Sequence, residues 1–188
     1  MKKNLSMVII LVTTCLSGCT TGESYVKKDV NFSQYARIAI MPFELSPKGA
    51  DVSAEQYFEQ ELLFKGYEII ERSQAESILK ELLFQQTDLI SKDNIAEMGR
   101  MLNVNALVIG NVQVNYSTDK HNEKYVRAID ISAKLVSVED ASILWSGSGT
   151  TDSGSLLGSV LKLGASLVGA EGGLKDVVKQ MCEPIPAK

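Results

Sequence analysis

Few side chains in this sequence are of the kinds that do covalent or acid–base chemistry. The single histidine, His121, stands in the polar run Asp119-Lys120-His121-Asn122-Glu123. A catalytic histidine needs a positioned nucleophile and an orienting partner; nothing in the sequence points to either, and the run reads as a solvated turn. The cysteines are Cys15, Cys19 and Cys182. With one histidine beside them, a transition-metal site would rest on carboxylates alone. Gly164-Ala165-Ser166-Leu167-Val168-Gly169 has the spacing that opens a phosphate loop, but Ala170 and Glu171 stand where Lys and Ser/Thr must follow. No Gly-x-Ser-x-Gly nucleophile elbow occurs. Glu71-Arg72 falls where a strand is expected to meet a helix start, a place that can receive an anion; an ion pair or a cap contact within the fold is the plainer account. No catalytic, cofactor-binding or metal-ligating residue emerges, and the expectation is a protein that is not an enzyme.

Cys19 is the exception. Lys2 and Lys3 precede an apolar stretch from Met7 to Leu16, broken only by Thr13, Thr14 and Cys15. About ten residues suit a signal h-region and are too few to span a bilayer. The stretch ends in Leu16-Ser17-Gly18-Cys19, which resembles the lipobox of bacterial lipoproteins. That resemblance implies cleavage before Cys19 and a thioether from its sulfur to diacylglycerol, with small residues letting the chain enter the protease. The other reading is an ordinary secretory signal that leaves Cys19 a plain thiol. In lipoproteins an Asp after the Cys commonly retains the protein at the inner membrane. Thr20 stands here instead, which implies the outer membrane, with the domain facing the periplasm.

Residues 1–18 carry two lysines and no acid, so the mature chain would hold 17 basic and 23 acidic side chains, a formal −6. Two or three acyl chains anchor firmly where one would be marginal. Residues 19–34 are polar and aperiodic and read as the lipidated end and a flexible linker. The net charge of −4 for the whole chain, with a pI near 5.1, gives no electrostatic footprint for nucleic acid. At 188 residues and 45% hydrophobic, the chain suits one domain with one core.

The periodicities place that domain at residues 35–147. Arg37-Ile38-Ala39-Ile40-Met41-Pro42-Phe43 reads as a strand buried on both faces and stopped by Pro. Ser53 with Gln56 has a capping-box pattern, followed by a helical face of Phe58, Leu62 and Leu63 and a stop at Gly66. Tyr67 to Ile70 is a second strand, and this order implies a right-handed crossover between parallel strands. Ser73 with Glu76 is a second capping box, leading to Ala75, Ile78, Leu79, Leu82 and Leu83. A third helix is expected from Ser91 or Asp93, with Ile95, Met98, Gly99 and Leu102 inward. Ala106 to Val112 is another buried strand. Tyr125–Val138 and Ser142–Gly147 form an antiparallel pair turned by Glu139-Asp140; Ile129, Ile131, Ala133 and Leu135 alternate with Asp130, Ser132 and Lys134, leaving one face half-solvated. The fold class is α/β: a mixed parallel and antiparallel sheet flanked by helices.

Residues 148–188 differ in composition. Ser146 to Ser155 is nearly all Ser, Gly and Thr and reads as a flexible link. Leu156 to Val168 carries only the charge of Lys162. As a helix it sets Leu156, Val160, Leu163 and Leu167 on one face; as strands, about 25 residues from Ser148 to Gly172 could supply one membrane hairpin of two arms, though Leu156-Leu157 and Val160-Leu161 break the required alternation. Gly154 with Gly158, and Ser155 with Ser159, permit close helix approach, to a second copy or within the chain. Lys175 to Cys182 reads as a closing helix before Pro184 and Pro186. Cys182 reads as a quiet, partly buried thiol, or as one that pairs between chains.

Ile38-Ala39-Ile40-Met41-Pro42-Phe43 resembles the opening strand of the curli secretion channel (CsgG-type) lipoprotein family. Ile70-Glu71-Arg72 with Ile78-Leu79-Lys80-Glu81, Gly99 to Leu102, Ala106 to Gly110, and Leu135 to Val138 with Ile143 to Ser146 follow in the same order. The set covers about residues 36–147, and LpoB-type activators of peptidoglycan synthases share the fold. The resemblance implies a lipid-anchored binding, assembly or secretion-accessory protein with protein partners or self-association, and alternatively an oligomeric secretion channel or an LpoB-like synthase activator. The Tyr116–Lys124 connection, about nine residues with four charges, cannot hold the membrane arms such a channel inserts there.

Overall fold

Hydrophobic strands separated by helical stretches must bury two kinds of surface, and the chain does so by wrapping one sheet. The computed structural model describes residues 20–70, 72–83, 91–118, 124–152 and 168–188. Strands β1 (Thr20–Val26), β2 (Arg37–Ile40), β3 (Glu44–Ser46), β4 (Glu68–Ile70), β5 (Ala106–Thr118), β6 (Lys124–Ser137) and β7 (Ile143–Asp152) alternate with helices α1 (Glu55–Phe64), α2 (Arg72–Leu83), α3 (Lys92–Leu102) and α4 (Val168–Cys182). The sheet order is β1-β7-β6-β5-β2-β4, with β3 also on β5. β2 lies parallel to both β4 and β5, whereas β5, β6, β7 and β1 are successively antiparallel. The expected mixed α/β sheet flanked by helices is what forms.

Alternation decides which helix covers which residue. Ile38, Ile40, Ala106, Val108, Val112, Ile129, Ile131, Leu135 and Trp145 face one side, where Phe58 and Leu62 of α1 and Leu174, Val177, Val178 and Met181 of α4 cover them. Ala39, Met41, Leu107 and Val136 face the other, beneath Ala75 of α2 and Ile95, Met98 and Leu102 of α3. α3 follows its sequence signals closely: the Ser91 hydroxyl accepts the Asn94 N–H at 3.3 Å, and Asn103, at φ 53°, closes it in a left-handed conformation.

Other elements depart from the expectation. The flexible linker is not there: all seven residues of β1 pair with β7, Thr20 with Thr151 through Val26 with Trp145, and Phe32 of the following turn is buried. The Ser/Gly/Thr link is a strand as far as Asp152, so β7 runs through the expected boundary at 147/148, and α4 packs into the same core. Small residues serve a purpose there. A Cβ on Gly147 would lie 2.7 Å from Trp145 Cζ2 and 3.3 Å from Met181, so the run lets the indole and α4 settle onto the sheet.

Helices α1 and α2 both start at residues other than those the capping boxes point to. α1 begins at Glu55 after Ala54, which makes no side-chain cap. The Glu55 carboxylate is buried and accepts the Phe43 N–H at 2.9 Å and the Ser53 hydroxyl at 3.3 Å, tying the helix start to the chain leaving β2. α2 begins at Arg72, which puts Ser73 inside the first turn. Leu63 is exposed, unlike Phe58 and Leu62, while Gly66 ends α1 at φ +87° as expected. The chain's last residues clip back onto α1: the Tyr67 hydroxyl donates to Pro186 O at 2.8 Å and Lys65 Nζ to Ile185 O at 2.7 Å.

Candidate functional site

The described helices leave one quadrant of the sheet open. α2 and α3 cover their side only over the parallel strands. Beyond Ile109 the same face turns polar, with Asn111 and Gln113 on β5, Asp130, Ser132 and Lys134 on β6, Ser146, Ser148 and Thr150 on β7, and Glu23 and Tyr25 on β1. Register sets these in rows: Asn111, Ser132, Ser148 and Glu23 form one, and Gln113, Asp130 and Thr150 another. Among the described residues no helix lies over them.

Hydrogen bonds hold the face rigid. Asp130 is its hub: Oδ1 accepts from Thr150 Oγ1 at 2.6 Å and Oδ2 from Asn115 Nδ2 at 2.7 Å. The Ser132 hydroxyl donates to Asn111 Oδ1 at 3.1 Å. Two shallow depressions of ≈ 390 and ≈ 380 Å³ share Glu23, Ser132 and Ser148 and merge into one trough open to solvent. The trough holds carboxylates, hydroxyls, amides and one ammonium, but neither an imidazole nor a thiol. Its chemistry is reversible hydrogen bonding and ion pairing over a broad, flat area. That suits another macromolecule better than a small ligand, which needs enclosure.

The other sequence candidates do not gather here. Cys19, His121 and Glu71 lie outside the described residues, as do 153–167 with Gly154, Ser155, Gly158, Ser159 and Gly164. Arg72 opens α2. Among the described residues no group of three or more His, Cys, Asp or Glu is placed to hold a metal ion, and no helix is long and apolar enough to cross a membrane. The trough itself was half legible: the Asp130, Ser132, Lys134 alternation marked a solvated face on β6. Its β1 and β7 rows carried no such signal.

Cys182 is fully buried, more deeply than expected. Burial first, and then the Glu61 carboxylate, push its thiol from 9.0 to about 12, while Lys65 pulls the other way. Burial likewise raises Tyr67 from 10.0 to about 12. Both groups stay protonated in the fold at pH values where the unfolded chain already ionises. Their stabilising effect is complete below about pH 9 and fades as the pH climbs toward 12. Urea midpoints should therefore fall across that alkaline window, and less so in Cys182→Ala. Iodoacetamide should label Cys182 slowly in the native protein and rapidly in denaturant; fast native labelling would contradict the placement.

Among the described residues, a mixed sheet with helices on both sides of its parallel half and on one side of its antiparallel half defines a small α/β module with an exposed polar face. A model of the family described as "Peptidoglycan-synthase activator LpoB" matches residues 54–151, just over half the chain, and the protein belongs to that family. The match supports the LpoB side of the resemblance and lends none to the curli-channel side. Two crystal forms of the PelC dodecamer from Paraburkholderia phytofirmans are similar in fold: TM-scores are 0.56 and 0.54, identities 16% and 17%, and each alignment covers 90% of this chain and 99% of the other. The LpoB C-terminal domain from Salmonella enterica is 15% identical, with 76% of this chain and 93% of that one covered and a TM-score of 0.46. No curated protein sequence matches.

Proposed function

We propose that this protein is a non-enzymatic activator of a peptidoglycan synthase, held to the outer membrane by lipid on Cys19 and working in the periplasm by contact. The family match over residues 54–151 carries this reading. The trough supplies the surface: its polar, hydrogen-bonded side chains are suited to a reversible protein interface with a wet, polar rim. The lipid concentrates the domain beside the membrane, where a partner meets it at high effective concentration. The sulfur of Cys19 bears the anchor, and Thr20 after it directs the protein to the outer membrane.

The test is stimulation. Purified mature domain added to the peptidoglycan synthases of the same organism should raise the rate of glycan polymerisation by one of them and bind it saturably. Ser148→Arg places a bulky cation at the centre of the trough, where a clash works against the partner. Affinity for the synthase should fall at least about tenfold, about 1.4 kcal/mol, with the melting temperature unchanged. Glu59→Arg, exposed on α1 at the opposite side, should bind as the parent does. Stimulation of no synthase, or equal loss in both variants, would count against the proposal.

A further inference from the structure

β1 is the terminal strand of the sheet, paired on one side with β7 and on the other with no strand among the described residues. Lys27 N donates to Leu144 O at 2.9 Å, which carries the β1–β7 ladder one residue past the strand. Main-chain groups alternate sides along an antiparallel pair. Glu23 and Tyr25 therefore also turn theirs toward β7, and Gly22, Ser24 and Val26 turn theirs outward. Such a row of unpaired N–H and C=O groups is a template for a further strand. Sheets commonly blunt an edge of this kind with a proline or a bulge. β1 has neither, and its register with β7 runs unbroken from Thr20 to Val26.

The side chains say which strand fits. Glu23, Tyr25 and Lys27 fall on the trough side by alternation, an acid and a base each two residues from the tyrosine. Tyr25 is 61% exposed, and Glu23 and Lys27 are exposed with it. Glu23 forms no salt bridge among the described residues, and Lys27 donates to the Ser142 hydroxyl at 3.2 Å. The order acid, tyrosine, base is complementary to its own reverse. Set antiparallel to a second copy and centred on Tyr25, each Glu23 faces the other copy's Lys27, and the two tyrosines face each other. Ser24 and Val26 then exchange main-chain bonds across the seam. Opposite charges and aromatic pairs directly across an antiparallel seam are favourable, and like charges are not. The other registers that match outward groups do worse. Centring on Ser24 sets Glu23 against Tyr25, centring on Glu23 sets the two acids against each other, and centring on Val26 sets Glu23 toward Asp29.

We propose that the outer edge of β1 is a docking surface for a second copy of this chain, joined antiparallel about Tyr25 into one continuous sheet. The interface is isologous and closed by a two-fold axis. That axis is perpendicular to the sheet, so both troughs face the same side. Because Glu23 and Tyr25 line each trough, the two run together across the seam. The inference goes beyond the activator reading by building the trough from two copies, and its test needs no synthase.

The test is cross-linking of the full-length chain. Membranes from cells expressing Tyr25→Cys are oxidised with copper phenanthroline and run on a non-reducing gel, with the parent chain as the baseline for its own cysteines. Residues facing each other in a non-hydrogen-bonded pair lie about 4.5 Å apart at Cα, within disulfide reach, so a covalent dimer should form. Glu23→Cys should yield several-fold less, because the two positions 23 are offset along the seam by about 14 Å. In the Tyr25→Cys background, Glu23→Lys should cut the yield several-fold, and adding Lys27→Glu should restore it. Equal yields at positions 23 and 25 overturn the proposal, and a Tyr25→Cys dimer indifferent to the charge reversal overturns the register. Sedimentation equilibrium of the parent in density-matched detergent should give the mass of a dimer; a monomer overturns the proposal whatever the cysteine variants do.

Discussion

Trp145→Ala is expected to lower the free energy of unfolding by about 3–5 kcal/mol, the range for emptying a large aromatic site in a core. The indole is 1% exposed and lies at the junction of β7, α1 and α4. It meets Phe58 edge-on, with ring centroids 6.0 Å apart and planes at 68°, and Phe58 in turn meets Phe43 at 5.4 Å. Its Nε1 donates to Met181 O at 3.1 Å, holding the last turn of α4 on the sheet. Truncation would open a cavity and leave a buried carbonyl unpaired. Trp145→Phe keeps most of the apolar area and loses the hydrogen bond, so about 1–2 kcal/mol is expected. Denaturant unfolding followed by circular dichroism measures both, since Trp145 is the chain's only tryptophan and cannot report on its own removal. A loss below about 1 kcal/mol for Trp145→Ala would show that α4 is not docked as described.

Gly99→Ala sets two effects against each other. In an exposed helix the change would stabilise by about 1 kcal/mol through propensity. Here the new Cβ would lie 2.2 Å from Val138 Cγ1 and 2.3 Å from Cγ2, far inside van der Waals contact. Val138 has little room to yield, because its backbone N–H donates to Asn105 O at 3.0 Å just beyond β6. α3 must back away from the sheet, disturbing Ile95, Met98 and Leu102 together. Overpacking of this kind costs about 1–3 kcal/mol and occasionally more, so the clash outweighs the propensity and net destabilisation of about 2 kcal/mol is expected. Val138→Ala removes both clashing methyls but leaves its Cβ 2.8 Å from the new one, so it should restore part of that loss in the double variant, giving a coupling energy of about 1 kcal/mol in a double-mutant cycle. Additive losses would mean that the helix and the Val138 turn do not touch.

What was readable in advance divides along physical lines. The buried runs Ile38–Ile40 and Ala106–Val108, the inward set Ile95, Met98, Gly99 and Leu102, and the Asp130-Ser132-Lys134 alternation are statements about side chains, and side chains are what a sequence displays. Helix starts were less legible. At Ser53 the local capping pattern yielded to a tertiary contact, the Glu55 carboxylate reaching the Phe43 N–H. The trough was legible on β6 alone, because its neighbours are made by pairing.

By itself, then, the sequence determined a mixed α/β domain and its two-sided core strands. Only the tertiary structure turned Thr20–Val26 and Ser146–Asp152 from expected flexible segments into adjacent strands. Their residues are mostly small and polar, and what orders them is backbone hydrogen bonding between segments about 125 positions apart in the chain, closed over by Trp145 and α4. A pairing of that kind leaves no periodic trace in either segment, since the partner that satisfies each N–H and C=O is specified by the rest of the fold.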